Sequence, residues 1–290
     1  MSTARDEVLV DVGHLAADLH LGDGPDPAEG APVLLDVRWA LGVSDGHRQY
    51  LAGHLPSAVY VDLETELSAS PSAALGRHPL PSAASFQEAA RRWGVRSGSR
   101  VVVYDAASGT SAARAWWLLR YFGHREVRIL DGGLAAWARA GLPLEVGEVT
   151  HAPGDLIPRP GHMPVIDADD AAELPGYGVL LDARAAERYR GEVEPVDPRA
   201  GHVPGAVCAP TTENLSDDGR FLAQDALRER FSALGVEPGA EVGVYCGSGV
   251  TAAHEVAALA TLGVGASLYP GSWSQWSNDP GRPVATGARP

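Results

Sequence analysis

The chain has 290 residues, 45% hydrophobic and 21% charged, with a formal charge of −14 and a pI near 5.1. That length and apolar content suit two cores of ordinary domain size rather than a disordered chain, and the acidic balance argues against a nucleic-acid backbone as partner, which would call for a basic stripe. No apolar run reaches the length of a membrane span, the stretch with Asp6, Glu7 and Asp11 is unlike a secretory signal, and two cysteines, Cys208 and Cys246, build no disulfide framework, so the expectation is a cytoplasmic protein without a membrane partner.

In chain order, residues 33–37, 101–104 and 127–130 read as buried strands, with helices expected over 85–93, 111–122 and 134–140. Residues 148–167 carry four prolines and no periodicity, which predicts a linker. Beyond it the pattern returns, with strands expected at 179–182, 242–245 and 267–269 and helices at 225–234 and 251–262. The return is a repeat: "VLLDVR" recurs as "VLLDAR", "AGHLPSAVYVDLETELS" as "AGHVPGAVCAPTTENLS", and two further blocks follow in the same order. The expected fold class is therefore α/β, two tandem domains, each a mostly parallel sheet flanked by helices on both faces. The expected boundaries are 1–147, a linker over 148–167, and 168–290.

Ligands of open α/β sheets bind at the carboxyl ends of strands. The loops after 101–104 and 242–245 are therefore the informative ones, and there the copies diverge: "YDAASGTSAA" against "YCGSGVTAAH", with Asp105 in the place of Cys246. One altered and one reactive-looking loop suggest a single active site, in the second copy. A helix N-terminus with free amides stabilises a thiolate, lowering a cysteine pKa from roughly 8.5 into the range of about 3.5 to 7.5. Gly247 and Gly249 let successive amides converge as in an anion nest, while Ser248 and Thr251 add hydroxyl donors. Such a loop cradles a thiolate, a persulfide or an incoming phosphate-like oxyanion. Cysteine-dependent phosphatases need an arginine six residues after the cysteine; position 252 is alanine, which favours a sulfur species carried on Cys246. A phosphatase-like enzyme and a catalytically silent binding module are the rival classes.

These residues resemble the tandem-domain rhodanese sulfurtransferases, comprising thiosulfate and 3-mercaptopyruvate sulfurtransferases. The likeness rests on "CGSGVTA" after a strand, "ERYRGEVEPVDPRAGHVPGA", "LLDVRW", "GHLPSAVYVDL", "VVVYDA" and "LDGGLAAW", and spans about residues 30–285. The resemblance implies that Cys246 takes sulfane sulfur from a donor as a persulfide, then passes it to cyanide, a small thiol or thioredoxin, with no cofactor and no metal. It implies that amides from Gly247 through Gly249 and Val250 to Thr251 hold the persulfide, and that "CGSGVT" belongs with the mercaptopyruvate branch rather than the cationic "CRKGVT" of the thiosulfate branch. In that branch Ser248 helps move a proton, His54 matches the relay histidine and Asp45 is a third candidate. Arg188 matches the substrate-binding arginine, and Arg199 resembles a second, carboxylate-clamping one. Because both copies carry a GH-x-P turn, a structural role for His54 stands beside the catalytic one. Cys208 reads as a packing residue, with a disulfide to Cys246 the weaker reading. Trp116, Trp117, Trp137, Trp273 and Trp276 are expected in the core or between domains.

Overall fold

The computed structural model describes residues 3–20 and 30–290, which form two compact units. Unit 1 comprises 1–67, 81–162 and 217–221; unit 2 comprises 68–80, 163–216 and 222–290. Two short stretches thus depart from the sequence division. Residues 68–80 lie in the first copy yet build unit 2, and 217–221 lie in the second copy yet build unit 1.

In unit 1, β1 (Leu9–Val10), β2 (Val33–Asp36), β3 (Val59–Tyr60), β4 (Val101–Tyr104) and β5 (Val127–Leu130) form one sheet of order β1-β5-β4-β2-β3, every pairing parallel. Helices α1 (Val12–Asp18), α2 (Gly46–Ala52), α3 (Leu63–Glu66), α4 (Ala83–Arg92), α5 (Ala112–Tyr121) and α6 (Gly133–Arg139) connect the strands. The run "VVVY" of β4 is buried throughout, as a central strand covered on both faces requires. Helix α4, expected over 85–93, starts two residues earlier because the Ser82 side chain accepts from the Ser85 amide as its N-cap, and Arg91 and Arg92 sit in its last turn.

Unit 2 repeats the plan with β6 (Val179–Asp182), β7 (Val207–Cys208), β8 (Val242–Tyr245) and β9 (Ser267–Leu268) in the order β7-β6-β8-β9, again all parallel. Its helices are α7 (Ala168–Glu173), α8 (Ala186–Tyr189), α9 (Gln224–Ala233), α10 (Thr251–Thr261) and α11 (Ser272–Trp276). A parallel bridge between Val165 and Leu268 stands where β1 stands beside β5 in unit 1. The proline-rich 148–167 stretch is accordingly not slack: Gly154 donates to Arg91 O and Arg159 to Phe122 O in unit 1, and Ile166 donates to Leu268 O in unit 2.

The register is the same in both sheets, Asp36 opposite Tyr104 and Asp182 opposite Tyr245. So is the buried polar frame at the strand ends. Arg38 pairs with Asp36 and donates to Gly53 O at 2.7 Å; Arg184 pairs with Asp182 and donates to Gly201 O at 2.6 Å. His54 stacks on Tyr50 with centroids 4.2 Å apart, and His202 on Tyr189 at 3.8 Å. The repeated "LLD-x-R" and "GH-x-P" blocks therefore serve one structural purpose twice. Trp116, Trp117, Trp137, Trp273 and Trp276 are all buried in their own units. Among the described residues, no helix is long and apolar enough to cross a membrane.

Candidate active site

Cys246 follows β8 and is separated from α10 by four residues, 247–250. The residue is 1% exposed, and its sulfur accepts from the Gly249 amide at 3.1 Å. Gly249 has φ +78°, and a Cβ there would come 2.7 Å from Pro270 O, so this position demands glycine both for its left-handed conformation and for space. Gly249→Ala is expected to cost about 1–3 kcal/mol and to slow sulfur uptake by Cys246, read by thermal melting alongside donor turnover; an unperturbed variant would contradict the fixed loop. Val250 is buried, and Thr251 opens α10.

Helix α11 fastens this loop from the other side. Trp273 N donates to Cys246 O and Ser274 N to Gly247 O, both at 2.9 Å, while Cys246 N donates to Ser272 Oγ at 3.2 Å. The same helix holds 68–80: Arg77 N donates to Ser274 Oγ at 3.0 Å, and Gln275 Nε2 to Ala74 O at 2.7 Å. As a result Ser248 Oγ shares a 2.7 Å hydrogen bond with His78 Nδ1, both residues buried.

Asp105 in unit 1 reveals what such a loop is built to hold. One of its carboxylate oxygens accepts from the Ala107 and Gly109 amides at 2.7 and 2.8 Å, the other from Ser111 and Ala112 at 2.7 and 2.8 Å. The strand-to-helix loop is an anion cradle, and in this copy an internal carboxylate fills it. In the other copy the cysteine sulfur takes the place of the carboxylate and accepts from one loop amide, that of Gly249.

Two guanidinium groups press on the Cys246 loop. A Cβ added to Gly247 would lie 3.0 Å from Arg77 Nη2 and 3.3 Å from Arg188 Nη1. Arg188 grips Glu194 with Nη2 at 2.7 and 3.0 Å and reaches Asp197 Oδ2 at 3.3 Å, while Arg77 Nη1 is ion-paired with Asp197 Oδ1. Glu194 also accepts the Val196 and Asp197 amides. Burial pushes the Asp197 carboxyl above its ordinary range, with Arg77 and Arg188 opposing the shift and Glu194 adding to it.

The structure places His54, Arg199, Asp45 and Cys208 away from the Cys246 loop or with other partners. His54 is not the partner of Ser248: its ring is 0% exposed, with Nδ1 at 2.9 Å from Leu55 O and Nε2 at 3.0 Å from Gly147 O, the same carbonyl-bound role that His202 has in unit 2. Arg199 does not face the loop, because its guanidinium is spent on the carbonyls of Ser277, Arg282, Trp276 and Asp279, where it ties down the C-terminal segment. Asp45, at the N-cap position of α2, accepts from the Arg48 and Gln49 side chains. Cys208 pairs with Asp182, which pairs with Tyr245 on its other side. Two strand spacings of about 4.8 Å put Cys208 and the end of β8 beyond the roughly 7 Å reach of a disulfide. Burial and Asp182 push the Cys208 thiol up to about 11, which leaves it protonated and inert.

Sequence reasoning missed Arg77 and His78. One signal was available: the repeat sets "GRHPLP" of the first copy against "GRFLAQ" of the second, so Arg77 and His78 answer to Arg220 and Phe221. Each of these loops joins the other copy's unit. In unit 1 the loop lies against the filled cradle, where a Cβ on Gly219 would come 2.6 Å from Ser108 Oγ.

A rhodanese-like domain model matches residues 24–140 and 167–279. SseB of Mycobacterium tuberculosis (strain ATCC 25618 / H37Rv), which carries a provisional thiosulfate sulfurtransferase name, is 50% identical over 98% of this chain and 99% of its own length. The 3-mercaptopyruvate sulfurtransferase of Escherichia coli (strain K12) is 40% identical over 82% of this chain and 85% of its own. The crystal structure of SseA from Escherichia coli, a 3-mercaptopyruvate enzyme, superposes with a TM-score of 0.79 at 36% identity, covering 94% of this chain and 99% of that one. With two matched domains and relatives of this similarity along nearly its whole length, the chain belongs to the rhodanese family as a tandem-domain sulfurtransferase.

Proposed function

We propose that the enzyme takes sulfur from 3-mercaptopyruvate in preference to thiosulfate, holds it as a persulfide on Cys246, and hands it to a thiophilic acceptor such as cyanide, a small thiol or thioredoxin. The observation that carries this reading is the 2.7 Å Ser248–His78 hydrogen bond beside the nucleophile.

The two donors differ in their need for a proton. Thiosulfate gives its outer sulfur to the Cys246 thiolate and leaves as sulfite, with no proton moved. Mercaptopyruvate loses its C–S bond: the thiolate forms a new S–S bond, the electron pair departs on C3 as the pyruvate enolate, and the proton of the donor thiol ends on that carbon. A hydroxyl joined to an imidazole can pass this proton, and such positioned transfer contributes about 10²–10⁴-fold. The persulfide anion then rests on the Gly249 amide and the start of α10. Arg188 and Arg77 receive the donor's carboxylate, a fork-shaped donor set suited to a planar anion. In the second half-reaction the acceptor attacks the outer sulfur, the S–S bond breaks and the Cys246 thiolate returns.

Intact mass after incubation with each donor should show one added sulfur, about 32 Da. Steady-state turnover with cyanide should favour mercaptopyruvate. Ser248→Ala and His78→Gln should each cut mercaptopyruvate turnover by about 10–100-fold and thiosulfate turnover much less. Equal losses with both donors would refute the proton-transfer role, and a thiosulfate preference in the wild-type enzyme would reverse the assignment of donor.

A further inference from the structure

The two arginines that face the Cys246 loop do not present two free positive charges. Asp197 stands between them, with Oδ1 on Arg77 and Oδ2 on Arg188, and its side chain is only 3% exposed. Glu194 shares Arg188 Nη2 with Asp197, at 4% exposure, and is reached at 3.5 Å by Arg184 Nη1, a guanidinium that itself pairs with Asp182. Arg77, Arg188 and Arg184 set against Glu194, Asp197 and Asp182 therefore sum to zero formal charge. The pairing is also uneven: Asp197 takes Arg77 Nη1 and Arg188 Nη2, whereas Arg77 Nη2 and Arg188 Nη1 come nearest to a Cβ placed on Gly247, at 3.0 and 3.3 Å, with Arg188 Nη2 at 3.8 Å. Both Nε atoms are buried without a hydrogen-bond partner among the described residues. The clamp thus keeps donors turned toward the loop while its net charge is cancelled from behind.

We propose that Asp197 is a specificity-determining residue that selects donors by charge, an inference that rests on the sulfurtransferase reading above. A clamp of zero net charge with correctly aimed N–H groups binds a monoanion through geometry and hydrogen bonds. A dianion gains little from such a clamp, because its second charge meets the Asp197 and Glu194 carboxylates as much as the guanidiniums. Mercaptopyruvate carries one carboxylate, and thiosulfate carries two negative charges. Asp197 therefore acts through Arg77 and Arg188 without touching the reacting sulfur, setting which donor the loop admits.

The test compares both donors with wild-type enzyme and Asp197→Asn, which keeps the shape and one acceptor oxygen but removes the charge. Losing one negative charge about 6 Å from the bound donor favours a dianion over a monoanion by a factor between about 3, with water-like screening, and about 100, with protein-like screening. The ratio of kcat/KM for thiosulfate to kcat/KM for mercaptopyruvate should rise by that factor, mainly through KM, and the thiosulfate KM should become steeply dependent on ionic strength. Asp197→Ser gives the same comparison should the asparagine variant fold poorly. An unchanged ratio, or a matching rise in KM for both donors, would overturn the inference and leave Asp197 a strut for its arginines. The ratio is informative whichever donor the wild-type enzyme prefers; absence of turnover with both donors would instead sink the sulfurtransferase reading itself.

Discussion

Cys246→Ser is expected to fold like the wild-type enzyme, to show no added sulfur with either donor and to lose sulfur transfer by at least about a thousandfold. The reason is chemical and specific to this position. A serine hydroxyl keeps an acceptor for the Gly249 amide, so the loop retains its bond, but it is a poor nucleophile toward sulfur without a strong base, and an S–O adduct cannot replace a persulfide as a carrier. Folding should survive because the strand, loop and helix form in unit 1 around Asp105 with no cysteine at all. The measurements are intact mass after donor treatment and turnover with cyanide. A sulfur adduct in the serine variant would move the chemistry to Cys208, the only other thiol in the chain, which the raised pKa of that group argues against.

The second large effect concerns stability. Asp105→Ala should destabilise unit 1 by about 3 kcal/mol, since four buried or part-buried amides lose a charged acceptor together and only some recover water. For a unit of about 150 residues that corresponds to a fall of roughly 6–12 °C in its melting temperature, read by calorimetry as a shift of one transition. Asp105→Asn should fall between, because its amide group presents N–H to amides that need an acceptor. Sulfur transfer by the folded enzyme well below the transition should stay at the wild-type level, because the carboxylate belongs to the cradle of unit 1 and not to the Cys246 loop. An unshifted transition in the alanine variant would show that the cradle does not need an anion.

The cradle also explains why the comparison of the two copies was so informative. Two loops of one ancestry keep the same strand before and the same helix after, and differ in whether the anion is part of the chain or carried on sulfur. Cys246, Gly247, Ser248 and Gly249 could be assigned from their own neighbours because an anion nest is a local object, made by successive amides at a helix start. Arg188 lies on α8 in a run of "ERYRGE" that follows the repeated strand-end block, and a Cβ on Gly247 would meet its Nη1 at 3.3 Å. The central strands β2, β4, β6 and β8 were legible for a similar reason: short, largely apolar runs mark positions buried on both faces. Of the two-residue strands only β9 was legible; β1, β3 and β7 were not, because so short a segment has no periodicity and is extended by its parallel neighbour.

His54 and His78 mark the boundary between the two kinds of information. A histidine in a GH-x-P turn looks alike whether its ring meets a hydroxyl or two carbonyls, and the duplicated pattern in which His202 repeats it was the available hint of a structural role. His78 sits 170 residues from Ser248, in a stretch whose sequence neighbours belong to unit 1, and nothing local announces the hydrogen bond. Asp197 is likewise an unremarkable acid until Arg77 arrives from 120 residues away to meet it. Order along the chain thus specified the duplicated fold and the glycine-rich loop after β8, since strand burial, turn chemistry and helix starts are set by adjacent residues. The Ser248–His78 hydrogen bond, the approach of Arg77 to Gly247 and its pairing with Asp197 were decided by tertiary structure alone, because each depends on α11 holding residues 68–80 against the Cys246 loop, a proximity that no short-range pattern encodes.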